Sequence, residues 1–450
     1  MQSIHVKNIF LEDGWQRDVR LQITDGIIQA IDFDVISDSD CVVDIAIPGL
    51  CNAHSHSFQR ALSGLTEFKS SNENDNFWTW RAVMYQLVEQ INPEILSAIA
   101  AQAYTEMAKN GYTSVVEFNY LHHQKNCHEL NNKLFIALTD AANLVGIRLI
   151  YVPILYQRGG FNNEKLSTQQ EQFYLTVQNL VEHYKSAKTE LTETHSIAIG
   201  VHSLRAVDKY ALQEIIDFSI AEDIPIHLHI AEQQKEVDDF YNTNDMRPVE
   251  WLYKNFNVNE KWCLVHATHL SDKELKLIAK SGAVTCLCPT TEANLGDGIF
   301  KLKDYLAYGG NLAIGSDSNI SIDPFEELRW MEYIQRLTHE KRNISSFNNY
   351  GSGHCLYSKA VQGGIIASGD NKLGFIREGG YADLVTFSSE NPSLIGHTNK
   401  TLLDAIIFSN HNILIDQVMI NGKWLNTDIS ISESYKQALL SFKNYKLTSL

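Results

Sequence analysis

Three histidines and one aspartate of this sequence are candidate ligands of a divalent metal ion, and two of the histidines stand in a short, regular spacing. His54 and His56 are two residues apart, so in an extended segment both imidazoles point to the same side. A lone His-x-His pair is more often part of a surface or a packed core. Together with His229 and Asp317, this pair predicts a catalytic Zn²⁺ site of three nitrogens and one carboxylate oxygen, with Fe²⁺ or Mn²⁺ as alternative ions.

Two further residues have the chemistry to move or hold a proton near such an ion. Glu232 comes three residues after His229, where its carboxylate can reach the attacking water without binding the metal. We expect Glu232 to act as general acid and base, the alternative being a solvated loop carboxylate. We expect His266 to hydrogen-bond the attacking water, the alternative being a histidine packed in the core.

A third group of residues could recognise a charged substrate. Its members lie near predicted strand ends or in the loop after the first strand, and they are Gln59, Arg60, Arg81, Tyr120, His202 and Arg205. Two arginines that face one pocket would bind a dicarboxylate through paired hydrogen bonds. A single arginine is more often a surface charge, and Arg60 is the weakest candidate because it could pair with an acidic neighbour.

Eight apolar runs rich in β-branched residues alternate along the middle of the chain with helical stretches. The runs cover residues 43–48, 113–118, 148–154, 196–201, 225–230, 262–266, 283–287 and 311–315, and helices are expected at 93–110, 130–145, 209–222, 272–281 and 324–339. This alternation is typical of a parallel sheet covered on both faces, and eight units predict a TIM (β/α)₈ barrel. The residues named above follow the carboxyl ends of these strands, where such a barrel has its active site.

Both ends of the chain read as short strands separated by turns. Strands are expected at 5–11, 19–23, 27–33 and 41–45, and again at 382–388, 405–408, 417–420 and 423–425. The Asn421-Gly422 pair between the last two is a strong hairpin signal. We therefore predict a small β domain formed by residues 1–47 and 381–428, a barrel at 48–380 and a helical tail within 429–450, with its helix at 432–445.

The composition of this 450-residue chain limits its partners and its location. A formal net charge of −17 disfavours a nucleic-acid backbone or an anionic membrane as the main partner. No run of about 18 apolar residues occurs, and the first residues lack the basic and apolar regions of a secretory signal. The seven scattered cysteines suit reduced thiols. These features predict a cytoplasmic protein, and a local arginine cluster could still bind a small anion.

Several segments resemble a known family. PGLCNAHSH (residues 48–56) and GGYADLV (379–385) resemble signatures of the amidohydrolase superfamily, whose fold is a distorted barrel with a small β-sandwich made from both chain ends. HSHSFQRALSGLTE (54–67), VHSLRAV (201–207) and HLHIAEQQKEV (227–237) are similar to the N-formimidoyl-L-glutamate deiminase family within it. The resemblance covers essentially the whole chain, and the first and third of these family segments are long and specific.

The resemblance implies a reaction and a role for each candidate residue. The reaction converts N-formimidoyl-L-glutamate and water to N-formyl-L-glutamate and ammonia in histidine degradation, with one Zn²⁺ per subunit of a homodimer. The implied zinc ligands are His54, His56, His229 and Asp317, the general acid and base is Glu232, the assisting histidine is His266, and the substrate contacts are Gln59, Arg81, Tyr120, His202 and Arg205. Asp317 is also expected to accept a proton from the water. Asn119 departs from the histidine expected beside Tyr120.

Two other functions stay open. The chain could be another deaminase of the superfamily that acts on an aminated heterocycle such as guanine or an adenosine derivative, and such a substrate would not require Arg205. It could also be a catalytically inactive barrel that serves as a scaffold. Inactive relatives lose metal ligands, whereas all the residues expected of an active site are present here.

Overall fold

The structure is a computed structural model that describes residues 2–35, 41–68, 75–127, 131–409, 415–426 and 431–442. Two sheets organise these residues, and the main hydrophobic core lies between the strands of the larger sheet and the helices around it. Within these ranges, no helix is both long and apolar enough to cross a membrane.

The chain begins with strands of the smaller sheet. They are β1 (Gln2–Leu11), β2 (Gly14–Thr24), β3 (Ile27–Asp32) and β4 (Cys41–Pro48). β1 pairs antiparallel with β2 and parallel with β4, and β2 pairs antiparallel with β3. Val19, Leu21 and Ile23 alternate along β2 and are buried, as expected of a sheet with one face against a core.

The larger sheet is a parallel barrel. Its strands are β5 (Leu50–Ser55), β6 (Tyr112–Asn119), β7 (Arg148–Leu155), β8 (Ser196–Ile197), β9 (Ile199–Ser203), β10 (Ile226–Ile230), β11 (Trp262–His266), β12 (Val284–Leu287) and β13 (Asn311–Ile314). Neighbours pair in the order β5-β6-β7-β9-β10-β11-β12-β13, while short β8 pairs with β7. A parallel bridge between Ser55 and Asp317 joins the two ends of this sheet, so the barrel is nearly closed.

Helices follow most barrel strands. The helices are α1 (Phe77–Val88), α2 (Pro93–Lys109), α3 (Lys133–Val145), α4 (Val177–Glu190), α5 (Lys209–Glu222), α6 (Gln234–Asn244), α7 (Pro248–Asn255), α8 (Asp272–Ser281), α9 (Pro289–Leu295), α10 (Leu302–Ala307), α11 (Pro324–His339), α12 (Ser352–Ser368), α13 (Leu402–Phe408) and α14 (Ser432–Ser441). The five helices expected from the sequence are confirmed to within a few residues. Asp208 and Ser271 accept backbone N–H groups of the first turns of α5 and α8, which explains where these helices begin.

The last part of the chain returns to the smaller sheet. Strands β14 (Leu384–Phe387), β15 (Val418–Ile420) and β16 (Lys423–Trp424) complete it, and over the described residues its order is β16-β15-β14-β4-β1-β2-β3. β14 pairs antiparallel with β4, which links the two ends of the chain. The barrel with a second sheet from both chain ends confirms the expected fold class, whereas the exact domain boundaries stay predictions.

Two strand assignments made from the sequence are wrong. Residues 43–48 were expected to be the first barrel strand, but they belong to β4 of the smaller sheet, and β5 takes the barrel position. The change occurs at Gly49, whose N–H donates to Asp383 O, while the next N–H, of Leu50, donates to Gly111 O. Residues 405–408 were expected to be a strand but form part of α13, because a short apolar run suits either structure. Of the expected tail helix, residues 443–445 lie outside the described residues.

Candidate active site

Four ligand-type side chains meet at the carboxyl ends of three barrel segments. His54 lies on β5, His56 just after it, His229 on β10 and Asp317 after β13. One nitrogen or oxygen of each lies within 4.8 Å of the others, and all four residues are buried. His54 Nε2 is 2.9 Å from His229 Nε2, and Asp317 Oδ1 is 3.4 Å from Nε2 of both His54 and His56. This spacing leaves room for one ion at about 2.0–2.2 Å from each ligand.

The protonation of the imidazoles suits a metal. Nδ1 of His56 donates to Phe118 O at 2.9 Å, and Nδ1 of His229 donates to His202 O at 3.0 Å. Because a carbonyl can only accept, the proton is on Nδ1 and the Nε2 lone pair faces the other ligands. Burial lowers the pKa of His54 to about 3 and also lowers the pKa values of His56 and His229, which keeps them neutral as ligands must be.

Asp317 is held in place through its backbone. Its N–H donates to His54 O at 3.0 Å, and its carbonyl accepts the N–H of His56 at 2.9 Å. The side chain of Asn319 donates to both His56 O and Asp317 O, at 3.0 and 3.1 Å. Gly315 lets the two segments approach, since a Cβ there would lie 2.7 Å from His54 O. Burial acts to raise the pKa of Asp317, but the imidazoles around it, His54 above all, hold that pKa well below its usual range.

Unusual backbone conformations gather at these strand ends. Ala231 after β10, His266 and Ala267 at the end of β11, and Asp317 and Asn319 after β13 have φ angles between +46° and +67°. Such left-handed conformations are unfavourable for residues with a Cβ and often occur at functional sites. They turn the chain sharply where the candidate catalytic side chains must face the pocket.

Glu232 and His266 lie together beside the candidate metal ligands. His266 Nε2 is 3.9 Å from both Glu232 Oε1 and Asp317 Oδ2, and all three residues are buried. Burial raises the pKa of Glu232 above its usual range, as suits a general acid and base at neutral pH. Burial acts to lower the pKa of His266, but the carboxylates of Glu232, Glu292 and Asp317 raise it to about 10. The structure thus brings both proposed proton-handling residues to the site.

All five residues expected to contact substrate line one pocket together with His56 and Asp317, two of the candidate metal ligands. Its lining consists of His56, Gln59, Phe77, Trp80, Arg81, Met84, Tyr85, Tyr120, Tyr156, Phe173, His202, Arg205, Leu295 and Asp317. Gln59 Nε2 donates to the hydroxyl of Tyr120 at 2.9 Å, and Gln59 Oε1 is buried without a hydrogen-bond partner among the described residues. Burial and the charge of Arg205 keep the pKa of His202 well below its usual value, so this imidazole is neutral.

The two pocket arginines are free to bind a ligand. Arg205 is 8% exposed, and its Nε has no hydrogen-bond partner within the described ranges; the same is true of Nη1 of Arg81. Buried donors of this kind are normally satisfied in a folded protein. A bound carboxylate would satisfy them and would place negative charge next to two guanidinium groups.

Arg60 and Asn119 lie outside the pocket lining. Arg60 donates two hydrogen bonds to Glu106, of 2.9 and 3.2 Å. It therefore pairs with an acidic neighbour, which was the alternative to a substrate contact. Asn119 donates to Leu121 O at 3.2 Å and to Tyr151 Oη at 3.0 Å, so its side chain supports the loop after β6. The departure at residue 119 therefore affects the support of this loop and not the pocket wall.

Sequence reasoning missed several residues that support the site. Glu292 accepts from His266 Nδ1 at 3.3 Å and from Cys288 N at 2.9 Å, so it orients His266 from behind. Asn319 joins the two ends of the barrel, and Trp78 lies against both pocket arginines. Asn319 follows Asp317 by two residues, a signal that could have been read, whereas nothing local distinguished Glu292 or Trp78.

Comparisons with known proteins show which family the chain belongs to. A model of the amidohydrolase family matches residues 45–425, and a model of the N-terminal domain of formimidoylglutamate deiminase HutF matches residues 1–40. A formimidoylglutamate deiminase of Pseudomonas aeruginosa is 40% identical over 434 residues, 95% of each chain. A 5-methylthioadenosine/S-adenosylhomocysteine deaminase of Pyrococcus furiosus is 27% identical over 413 residues, 89% of each chain.

A solved structure extends the comparison. The crystal structure of an amidohydrolase from Brucella melitensis has a TM-score of 0.93 to this chain at 34% identity, and the match covers 98% of this chain and 99% of the other. The chain therefore belongs to the formimidoylglutamate deiminase family of the amidohydrolase superfamily, and it is a hydrolase that acts on non-peptide C–N bonds.

Proposed function

We propose that this chain hydrolyses N-formimidoyl-L-glutamate to N-formyl-L-glutamate and ammonia, a step of histidine degradation, with one Zn²⁺ per subunit. The observation that carries the proposal is the presence of Arg81 and Arg205 in the same pocket as His56 and Asp317. A glutamyl group has two carboxylates, and the two guanidinium groups offer matching charge and paired donors. The 40% identical deiminase of Pseudomonas aeruginosa supports the same substrate.

The residues that would hold the metal are His54, His56, His229 and Asp317. Three neutral imidazoles and one carboxylate, all buried, are a donor set that zinc accepts, while Fe²⁺ or Mn²⁺ could also occupy it. A bound divalent ion would act as a Lewis acid that polarises water and the formimidoyl group. Asp317, whose low pKa keeps it ionised, could also accept a proton from the attacking water.

Glu232 is the residue proposed to move the proton between water and the leaving group. Hydrolysis forms a C–O bond at the formimidoyl carbon and breaks its bond to nitrogen. The nitrogen that leaves is the terminal one, and it needs both protons of the attacking water to depart as ammonia. Glu232 would take the first proton from the water and deliver it to this nitrogen, and would then carry the second from the hydroxyl of the adduct to the same nitrogen as the C–N bond breaks. His266 is oriented by Glu292 and lies 3.9 Å from Glu232. It donates a hydrogen bond to the same attacking water.

The other pocket residues are proposed to orient the substrate. Arg205 and Arg81 bind the carboxylates at one end, which leaves the formimidoyl group at the end that contains Asp317. Gln59, held by Tyr120, presents its free oxygen as an acceptor for the substrate N–H groups. Neutral His202 completes the wall between Arg205 and the ligand cluster.

The direct test is ammonia release from N-formimidoyl-L-glutamate by the purified, metal-loaded protein. N-formimidoyl-L-aspartate and guanine are supplied as competing substrates in parallel assays. The proposal expects the glutamate compound to have the highest kcat/KM of the three. A clear preference for guanine would contradict it and would support the heterocycle deaminase that the 27% identical relative suggests.

Two parts of the proposal concern the whole protein. A homodimer and a cytoplasmic location are proposed from the resemblance and from the composition, and both stay predictions. Light scattering after size-exclusion chromatography would test the dimer, and a mass of about 51.0 kDa, that of one chain, would contradict it. Fractionation of the source cells would test the location.

A further inference from the structure

The indole of Trp78 lies against both arginines of the pocket. The guanidinium carbon of Arg81 is 4.4 Å from the centre of the Trp78 ring, and that of Arg205 is 5.7 Å from it. Because both distances end at the same ring, the two guanidinium carbons are at most about 10 Å apart. The arginines come from different elements, α1 and the loop after β9, and this one ring contacts both.

Neither positive charge has an ion pair in the described part of the chain, although the carboxylates of Glu236 and Glu232 attract Arg205 from a longer distance. No carboxylate there lies within ion-pair distance of Arg81 or Arg205, and Nη1 of the first and Nε of the second are buried without a partner. Two guanidinium groups near one another repel, and burying a charge without a partner is unfavourable. The negative face of an indole attracts a guanidinium group, most strongly where water is excluded.

Helix α1 presents Trp78 and Arg81 on the same side. They are three residues apart, and Tyr85 follows Arg81 by four, so the guanidinium group lies between two aromatic rings of one helix face. Asn76 caps this helix by accepting the N–H of Trp78 at 2.9 Å. The cap fixes the first turn and with it the position of the indole.

Trp78 differs from its neighbour Trp80. Trp80 packs against the main hydrophobic core and lines the pocket. Trp78 is half-buried and absent from that core, and its ring meets Phe77 and the two guanidinium groups. Of the three ring contacts just named, two are therefore with groups expected to bind substrate.

We propose that Trp78 is a positioning residue, which holds the guanidinium groups of Arg81 and Arg205 at the separation that one dicarboxylate substrate requires. This inference rests on the proposed function, since it needs both arginines to bind the same ligand. Trp78 acts through the arginines and does not touch the reacting atoms. Its loss therefore weakens binding of the carboxylates and leaves the proton transfers at Glu232 in place.

The test compares Trp78→Leu, which removes the π face, with Trp78→Phe, which keeps one. Trp330→Leu is the matched control, because Trp330 is 41% exposed on α11 and outside the pocket lining. The measurements are KM and kcat for N-formimidoyl-L-glutamate and the inhibition constant of the product, N-formyl-L-glutamate. Metal content and circular dichroism check that each variant is folded, and Trp78→Met replaces the leucine variant if the latter does not fold.

The expected result is a rise of about tenfold in KM and in the product inhibition constant for Trp78→Leu, with kcat changed less than about threefold. Trp78→Phe should recover most of the affinity, and Trp330→Leu should equal the wild type. Unchanged binding in folded Trp78→Leu or Trp78→Met, or equal losses in the leucine and phenylalanine variants, would overturn the inference alone. A wild-type protein that releases no ammonia from the substrate would instead overturn the proposed function and the inference with it.

Discussion

His56 donates its backbone N–H to the carbonyl of Asp317 at 2.9 Å, and the side chains of the same two residues lie 3.4 Å apart in the ligand cluster. The bridge that closes the barrel and the cluster that would hold the metal are therefore made by the same residues. A metal bound there would link β5, β10 and the segment after β13. Metal binding should consequently stabilise the whole barrel.

Removing the metal is expected to lower the unfolding temperature, and adding it back should restore stability. At a free Zn²⁺ concentration of 100 times Kd, the gain in the free energy of unfolding should be about 2.7 kcal/mol. Calorimetry with and without a chelator measures it. The His229→Asn variant, which lacks one ligand, should show little response to zinc, and an equal response in both proteins would contradict the assigned site.

Replacing Glu232 by Gln is expected to lower kcat by about 10²- to 10⁴-fold, because an amide cannot carry the proton from water to the leaving nitrogen. KM and metal content should change little, since Glu232 is not one of the clustered ligands. Steady-state ammonia release and metal analysis measure these quantities. Glu222→Gln on α5, where Glu222 pairs with Lys188 away from the pocket, is the control. A Glu232→Gln variant with near-normal kcat would refute the role.

Replacing Arg205 by Met is expected to lower kcat/KM for N-formimidoyl-L-glutamate by about 10- to 100-fold, because a charged, paired contact to a carboxylate is lost. Arg60→Met is the matched control, since Arg60 binds Glu106 instead of lining the pocket. Steady-state ammonia release measures kcat/KM for both variants and the wild type. Nearly unchanged kinetics for Arg205→Met would remove the basis for a dicarboxylate substrate.

Replacing Gly315 by Ala is expected to impair metal binding indirectly, by displacing the backbone of His54. The added Cβ would meet His54 O at 2.7 Å and His54 Cβ at 2.8 Å, so the backbone of a ligand must move. We expect a loss of about 1–3 kcal/mol in the free energy of unfolding together with weaker zinc binding. Gly309→Ala is the control, because its φ of +82° makes alanine unfavourable while no atom lies within 4 Å. That variant should lose stability but keep its zinc affinity, and two variants with equal zinc affinity would refute the effect.

His183 is expected to make the protein sensitive to acid. Burial lowers the pKa of His183 from 6.5 to about 4, so between these values the unfolded chain binds a proton that the folded chain does not. The stability due to neutral His183 is thus complete above pH 6.5 and falls by about 3 kcal/mol as the pH drops toward 4. Urea unfolding at pH 7.5 and pH 5 should show a smaller loss for His183→Gln than for the wild type. Exposed His397→Gln should behave as the wild type, and a wild-type pH dependence in His183→Gln would contradict the assignment.

The barrel was predictable because its helices and strands carry local signals. α5 and α8 begin and end where the apolar period and the caps Asp208 and Ser271 indicate. The first barrel strand was not predictable, because the apolar run continues through Gly49 and nothing local says which sheet each half joins. That choice depends on Asp383 and Gly111, whose backbone carbonyls accept hydrogen bonds from the N–H groups of Gly49 and Leu50.

The candidate site shows the same division between local and remote information. The four ligand candidates and Glu232 stand in short motifs, so their types and spacing were enough to expect that they would meet. Glu292 and Asn319 act on partners distant in the chain, His266 and His56, and only the folded backbone brings them together. Five residues with positive φ at the strand ends mark the same place, and residue type alone did not reveal them.

The direct passage from β4 into β5 has a consequence for how the protein is made. β4 is completed by β14, and β5 closes the barrel against the segment after β13, so both depend on chain that the ribosome delivers much later. His54 on β5 and His56 just after it therefore emerge early, next to strands that have an unpaired edge until then. The pairing of β4 with β14 and the bridge from Ser55 to Asp317 can form only after those later residues have been synthesised, so the candidate site is completed late.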